Sequence, residues 1–257
     1  MQRLTDYLDF AMDVAWQAGR LTLAHYQTGV RVDRKADRSV VTVADREAEQ
    51  LIRQIISGRF PDHAVAGEEY GESGPAAASC RWVIDPIDGT SSYVRGVPFW
   101  GVLVALEIET VPSVGVCYFP ALDDMVAAAT GLGCRRDGRS AQVSSVADLS
   151  DATLVYTDVR NVSGRLGNGW AALQHDTAFQ RSWGDCYGHC LVATGRADVM
   201  LDPRMHPWDC AALIPILQEA GGRFTDWRGE VTTTGGDAVS SNGWLHEQVL
   251  AYLIGAS

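Results

Sequence analysis

Four short segments of this 257-residue sequence set carboxylates beside glycines or turn residues. They are Asp45 in VVTVAD, Glu68-Glu69 in AGEEYGE, Asp85 and Asp88 in WVIDPIDGTSS, and Asp209 in HPWDCAA. Three of them have ordinary readings when taken alone. Asp45 follows Thr42 by three residues and completes a helix capping box; Glu68 and Glu69 fit a solvated loop; Asp209 suits a helix first turn, where a carboxylate complements the dipole. DPIDGT resists such a reading. Pro86 stiffens a turn at a strand's end, so that Asp85 and Asp88 converge with the Ile87 carbonyl between them. Gly89 permits close backbone approach, and Thr90 and Ser91 set hydroxyls and amides at a helix start, which makes an anion site beside a hard-cation site. The candidate ligands are all oxygen donors, and no Cys/His cluster has zinc spacing, so Mg²⁺ or Mn²⁺ is favoured over zinc. A phosphate ester beside two or three such ions points to metal-assisted hydrolysis.

These segments need elements to hold them. Leu4, Leu8, Ala11, Ala15 and Ala18 recur at helical spacing and predict an amphipathic helix from about 3 to 27, ended by Thr28-Gly29. The polar stretch RVDRKADRS, residues 31–39, leads to Val40-Val41-Thr42-Val43 and a second helix over about 44–57. Trp82-Val83-Ile84 reads as a short strand running into Asp85. GVLVALEI at 101–108 and SVGVCYF at 113–119 read as buried strands with a turn at Glu109-Thr110-Val111-Pro112. Ser150-Asp151 opens a further strand through Leu154-Val155-Tyr156, and residues 209–220 form a helix closed by Gly221-Gly222. Interleaved helices and strands predict a layered mixed α/β architecture, with a compact junction near Gln142–Ser145 dividing residues 1–143 from 144–257.

Composition narrows the partners. With 21 Lys+Arg against 32 Asp+Glu the net charge is −11, which disfavours nucleic acid and anionic membranes. Lys35 is the only lysine. No stretch reaches the roughly 18 apolar residues of a membrane span, and the N-terminus lacks signal-peptide character. Six cysteines without repeated CxxC pairs, Cys186 and Cys190 at helical spacing among them, read as buried thiols in a reducing cytoplasm.

WVIDPIDGT and HPWDCAALIPILQEAGG, with VTVAD and GEE in order before them, make the chain resemble the inositol monophosphatase family of Mg²⁺-dependent phosphatases over nearly its whole length. The resemblance implies an αβαβα sandwich. It further implies one Mg²⁺ held by Glu68, Asp85 and the Ile87 carbonyl, a second held by Asp85, Asp88 and Asp209, and a third, weaker ion leaning on Glu68. Asp45 and Thr90 would orient and deprotonate the attacking water, Glu68 would serve the same centre, and the phosphate would lie against Gly89, Thr90 and Ser91. Lys35 matches a lysine near the family's metal loop, and the family commonly forms homodimers.

The usual DGTTNF is replaced here by DGTSSY. The segment SWGDCYGHCLVATGRADVMLDPRMHPWD, with GGRFTDWRG, is most similar to the histidinol-phosphate phosphatases of that family. Histidinol carries an ammonium and an imidazole, so its pocket needs carboxylates and flat apolar walls. Asp185, Asp202 and Trp183 are the candidates for that role; Asp202 falls seven residues before Asp209, where inositol phosphatases also carry an acid, so Asp185 discriminates better, although Asp185 also fits a helix cap. The resemblance thus implies hydrolysis of L-histidinol phosphate, with an inositol or broad sugar monophosphatase as the alternative. His206, just before Trp208-Asp209, either touches substrate or lines the fold, the latter being favoured, and His189 beside Cys190 is expected in the core or at an interface.

Overall fold

Tyr7, Leu8, Ala11, Val14, Ala15 and Ala18 repeat at the spacing that keeps one helix face apolar, and all six are buried. That face is the first layer of the molecule. The computed structural model describes residues 2–35 and 39–254. In chain order it contains α1 (Gln2–His25), β1 (Val32–Arg34), β2 (Val40–Thr42), α2 (Val43–Arg59), β3 (Ala64–Gly67), β4 (Gly71–Ser73), β5 (Cys80–Asp88), α3 (Thr90–Tyr93), β6 (Gly101–Ile108), β7 (Val111–Phe119), β8 (Asp124–Ala129), β9 (Gly133–Arg136) and β10 (Arg139–Ser140). After a 3-10 turn at Leu149–Asp151 come β11 (Thr153–Tyr156), α4 (Val159–Leu166), α5 (Asn168–Asp176), β12 (Phe179–Arg181), α6 (Asp185–Ala193), β13 (Val199–Asp202), α7 (Pro207–Cys210), α8 (Leu213–Glu219), β14 (Arg223–Thr225), β15 (Ala238–Ser241) and α9 (His246–Ile254).

Two sheets carry the architecture, one of eight strands in the order β10-β9-β8-β7-β6-β5-β3-β4 and one of five in the order β12-β11-β13-β15-β14. Alternation along the strands of the larger sheet feeds two cores. Trp82, Ile84, Val104, Leu106 and Val116 pack with Ala11, Val14 and Ile52 of α1 and α2. Val83, Leu103, Ala105, Cys117 and Phe119 point the other way, toward Cys190, Leu213, Ile216 and Leu217 of α6 and α8 and Met200 and Phe224 of the smaller sheet. A third cluster, with Leu154, Val199, Leu201 and Val239, meets Trp170, Leu173, Val249 and Leu253 of α5 and α9. Strands buried on both faces read as near-continuous apolar runs, and the layers are helix, sheet, helix, sheet, helix, the expected αβαβα sandwich.

Local chemistry moved several boundaries. α1 stops at His25 rather than at 27, and the chain turns through positive φ at Gln27 (59°) and Gly29 (79°). β1 lies inside the polar stretch 31–39, where it pairs antiparallel with β2; residues 36–38 of that stretch are outside the described residues. The β6–β7 turn tightens to Glu109-Thr110, both at positive φ, so Val111 and Pro112 belong to the strand. Ser150-Asp151 forms the 3-10 turn, and β11 begins only at Thr153. The single helix expected over 209–220 is two: Pro215 has no N–H to give the Ala211 carbonyl, so the ladder breaks between α7 and α8. Ala211 and Ala212 nevertheless keep helical dihedrals. Gly115 of β7 accepts this pair of helices at close range, since a Cβ there would sit 2.0 Å from the Ala212 carbonyl oxygen. Among the described residues no helix is long and apolar enough to cross a membrane.

Candidate active site

Asp85 and Asp88 are three apart, and in a regular strand an odd separation sends side chains to opposite faces. β5 avoids this with a bulge. Asp85 pairs with Leu103 and Asp88 with Gly101, so three steps on β5 span two on β6, and both carboxylates reach one side. The expected turn at a strand's end is therefore a bulge within a nine-residue strand. Pro86 is tolerated there because a bulge leaves a residue out of the ladder. The Ile87 amide donates to Asp85 Oδ1 at 2.9 Å, which holds the bend.

Neighbouring elements add their carboxylates through tertiary register. β3 runs parallel to β5 with Gly67 opposite Ile84, which brings Glu68 alongside Asp85. Asp209 lies in the first turn of α7, where its Oδ2 accepts the His206 amide at 2.7 Å. Oxygens of Asp85, Asp88 and Asp209 all lie within 4.8 Å of one another. Burial pushes all three carboxyl groups up, and the charges of their neighbours push further, Glu68 and Asp88 acting on Asp85 and on Asp209, and Glu68 on Asp88; the Cys186 amide, donating to Asp88 Oδ2 at 2.5 Å, opposes this. Oxygens around one octahedral Mg²⁺ are about 3–4 Å apart. A compact, all-oxygen, mutually repelling donor set thus fits a hard divalent cation.

Lys35 is one counter-charge at this rim. Its ammonium donates to Glu68 Oε1 at 2.8 Å and to Glu69 Oε1 at 2.6 Å. Burial works against its charge, but these two hydrogen bonds prevail and raise its pKa. Glu69 is itself pushed up to about 6, by burial and against the pull of Lys35. The GEE loop is held from below by Glu49, a buried residue the sequence did not single out, which accepts the Glu69 amide at 2.7 Å and the Tyr70 amide at 3.1 Å.

Asp45 combines the two readings open to it. Its Oδ2 accepts the Thr42 amide at 2.7 Å and the Thr42 hydroxyl at 2.6 Å, the capping box of α2. Its Oδ1 lies 3.5 Å from the Thr90 hydroxyl. That hydroxyl also reaches the Ile87 carbonyl at 3.0 Å. Burial, against the Thr42 hydrogen bonds, pushes Asp45 up to about 6.

A cavity of about 580 Å³ joins the carboxylate cluster to Lys35 and Thr90, while Asp45 is fully buried and outside its lining. Glu68, Asp85, Ile87, Asp88, Gly89, Thr90, Ser91 and Asp209 line it, and so do Lys35, Thr157, Asp185 and Asp202. Gly89, at φ 79°, starts α3, and a Cβ on it would stand 3.0 Å from Asp185 Oδ2. The cap reading of Asp185 does not hold: the N-cap of α6 is Gly184, and Asp185 is the first helical residue, itself at φ 54°. Burial raises the Asp185 carboxyl well above its ordinary range, with the charges of Asp88 and Asp202 adding to it. Burial likewise lifts Asp202 to about 7, opposed by the hydrogen bond from Thr157.

Two aromatic expectations are corrected. Trp183 is not in the cavity lining; it precedes the turn at Gly184 and lies beside Phe179, with centroids 6.1 Å apart. The flat wall is Trp208, stacked on His206 at 4.9 Å and 16°. His206 is exposed in the cavity instead of lining the fold, because the chain leaves β13 before α7 and turns it outward. His189 is fully buried, with Nδ1 2.6 Å from Ser240 Oγ. The six cysteines are free and buried.

A sequence model of the inositol monophosphatase family matches residues 3–255. The chain is 44% identical over 251 residues to a protein named histidinol-phosphatase from Chlorobaculum parvum, with 96% of each chain covered. It is 39% identical over 263 residues to a histidinol-phosphatase from Mycobacterium tuberculosis, covering 96% of this chain and 98% of that one. The crystal structure of the extragenic suppressor protein suhB from Bartonella henselae superposes with a TM-score of 0.91 at 26% identity, over 96% of this chain and 98% of the other. Agreement of sequence and fold from end to end leaves one assignment: the chain belongs to the inositol monophosphatase family, the Mg²⁺-dependent phosphomonoesterases.

Proposed function

We propose that the chain hydrolyses L-histidinol phosphate to L-histidinol and inorganic phosphate. The observation that carries this reading is the pair Asp185 and Asp202, a half-buried and a buried carboxyl in the same cavity as the Asp85, Asp88 and Asp209 cluster. A phosphate end directed to the cluster leaves the alcohol end against these two acids and the stacked His206–Trp208 wall. An ammonium and an imidazole supply the counter-charge that restores the ionised form of two acids held toward neutrality by burial, whereas a neutral polyol supplies none. The names of the two relatives support the same substrate.

Glu68, Asp85, the Ile87 carbonyl, Asp88 and Asp209 would hold two Mg²⁺ ions, with a third weaker one at Glu68. When bound, Mg²⁺ supplies Lewis-acid stabilisation of the phosphoryl oxygens and lowers the pKa of water. Thr90 and Asp45 handle the proton of the attacking water. Were the Ile87 carbonyl to serve as a metal ligand, the Thr90 hydroxyl would turn its proton to Asp45 Oδ1 and accept one from water. The water oxygen bonds to phosphorus as the ester P–O bond breaks, and the departing alkoxide takes a proton from solvent to leave as the alcohol. Buried and lifted to about 6, Asp45 is matched to accept that proton near neutral pH. The amides of Gly89, Thr90 and Ser91, at the turn into α3, face the phosphate.

Steady-state kinetics with histidinol phosphate and inositol 1-phosphate at saturating Mg²⁺ tests the substrate. A kcat/KM at least tenfold higher for histidinol phosphate is expected, and a preference for the inositol ester rejects the assignment.

A further inference from the structure

Thr157 follows β11, beside the strand that carries Asp202, and its amide donates to the Leu201 carbonyl at 3.3 Å. Its hydroxyl makes two bonds. It accepts the Asp185 amide at 3.2 Å and donates to Asp202 Oδ2 at 2.6 Å. A hydroxyl has one proton, so with an amide donating to it the proton must go to the carboxylate. The other Asp202 oxygen accepts the Arg204 amide at 3.2 Å. Asp202 is therefore fixed at both oxygens, while the carboxylate of Asp185 accepts no hydrogen bond from another described residue and stands open to the cavity.

The backbone at Asp185 needs such an anchor. Its φ of 54° is a left-handed conformation that a non-glycine residue holds only under local constraint. The constraint is applied from two sides: Thr157 takes the Asp185 amide, and Asp88 takes the next one, that of Cys186, at 2.5 Å. Gly184 permits the contact, since a Cβ there would lie 2.3 Å from the Thr157 Cα.

We propose that Thr157 is a positioning residue for substrate selectivity: one hydroxyl sets Asp185 and Asp202 in the mutual arrangement that receives the alcohol end of the ester. This rests on the reading that these two acids meet that end. Thr157 is not aimed at the metal-type cluster, so its contribution belongs to discrimination between alcohols.

Thr157→Val keeps the volume and removes the hydroxyl, and Thr157→Ser keeps the hydroxyl. The test compares kcat and KM for the wild type's preferred ester and for p-nitrophenyl phosphate, whose alcohol end carries no donor. In Thr157→Val the ratio of kcat/KM values, preferred ester over p-nitrophenyl phosphate, is expected to fall about tenfold. The loss should appear in KM for the preferred ester, with Thr157→Ser restoring most of it. An unchanged ratio, or an equal loss of kcat with both esters, overturns the proposal. Melting curves report whether the valine variant folds; if it does not, Thr157→Ala is read by the same ratio. Should the wild type prefer inositol 1-phosphate, the histidinol assignment fails separately, and Thr157 is still judged on the inositol ester against p-nitrophenyl phosphate.

Discussion

The two oxygens of Asp45 serve different partners: one closes the N-terminus of α2 through Thr42, and the other lies 3.5 Å from the hydroxyl of Thr90. The capping bonds lock the side chain, so the second oxygen is aimed without further ordering cost. In the proposed reaction, the helix cap thereby supports the proton acceptor.

Thr90→Ala is expected to lower kcat by about 10²- to 10³-fold with little change in KM, because proton handling is needed only in the transition state. Thr90→Ser should retain activity within about tenfold. Equal losses in kcat and in phosphate affinity would instead make Thr90 a binding group.

Asp88→Asn relieves repulsion in the metal-free protein but removes a proposed ligand. Without Mg²⁺ it should unfold no earlier than the wild type. Mg²⁺ at a hundred times its Kd stabilises a protein that binds it by about 2.7 kcal/mol, and the variant should lose that gain. Turnover should fall at least ~100-fold, since changes one shell beyond a metal's ligands already cost about 10–100-fold. Calorimetric melts with and without Mg²⁺ check this; a full Mg²⁺-dependent shift in the variant would remove Asp88 from the ligand set.

Asp185→Asn should raise KM for histidinol phosphate roughly 10- to 100-fold, because an amide cannot ionise against the bound cation as the carboxyl can. The effect on inositol 1-phosphate should be several-fold smaller. Parallel kinetics on the two esters give the comparison.

Gly115→Ala would drive a Cβ to 2.0 Å from the Ala212 carbonyl oxygen. Backbone cannot step aside without moving α7 and α8, so the cost should be about 3 kcal/mol or more, read from urea unfolding. Asp209 rides on α7, and folded variant protein should also bind Mg²⁺ more weakly.

His189 is buried neutral, and burial lowers its pKa from 6.5 to about 3. Its folded value lies below its unfolded one, so its contribution is complete above pH 6.5 and is lost as pH falls toward 3. In that window the wild type should lose about 1.4 kcal/mol per pH unit from this residue alone. His189→Asn should show a correspondingly shallower acid slope in denaturant titrations between pH 6 and 4, approximately. Identical slopes would place His189 in contact with water.

Residue types and short-range spacing carried much of this fold and chemistry. Apolar runs buried on both faces marked β6 and β7, the 3.6-residue period marked α1, and Thr42 with Asp45 marked the start of α2. Oxygen donors in DPIDGT and its companion segments named a hard-cation phosphatase site, because ligand chemistry depends on residue type. Convergence was decided elsewhere. The bulge that turns Asp85 and Asp88 to one side depends on the β5–β6 register, and the approach of Glu68 depends on β3 lying parallel to β5. The positive φ of Asp185 and its hydroxyl anchor on Thr157 follow from how α6 packs at the end of β11, and the exchange of Trp183 for Trp208 from which segments reach the cavity. Local sequence could not report these, because each depends on contacts between segments far apart in the chain, and the gain from those contacts exceeds the local preference of the residue involved.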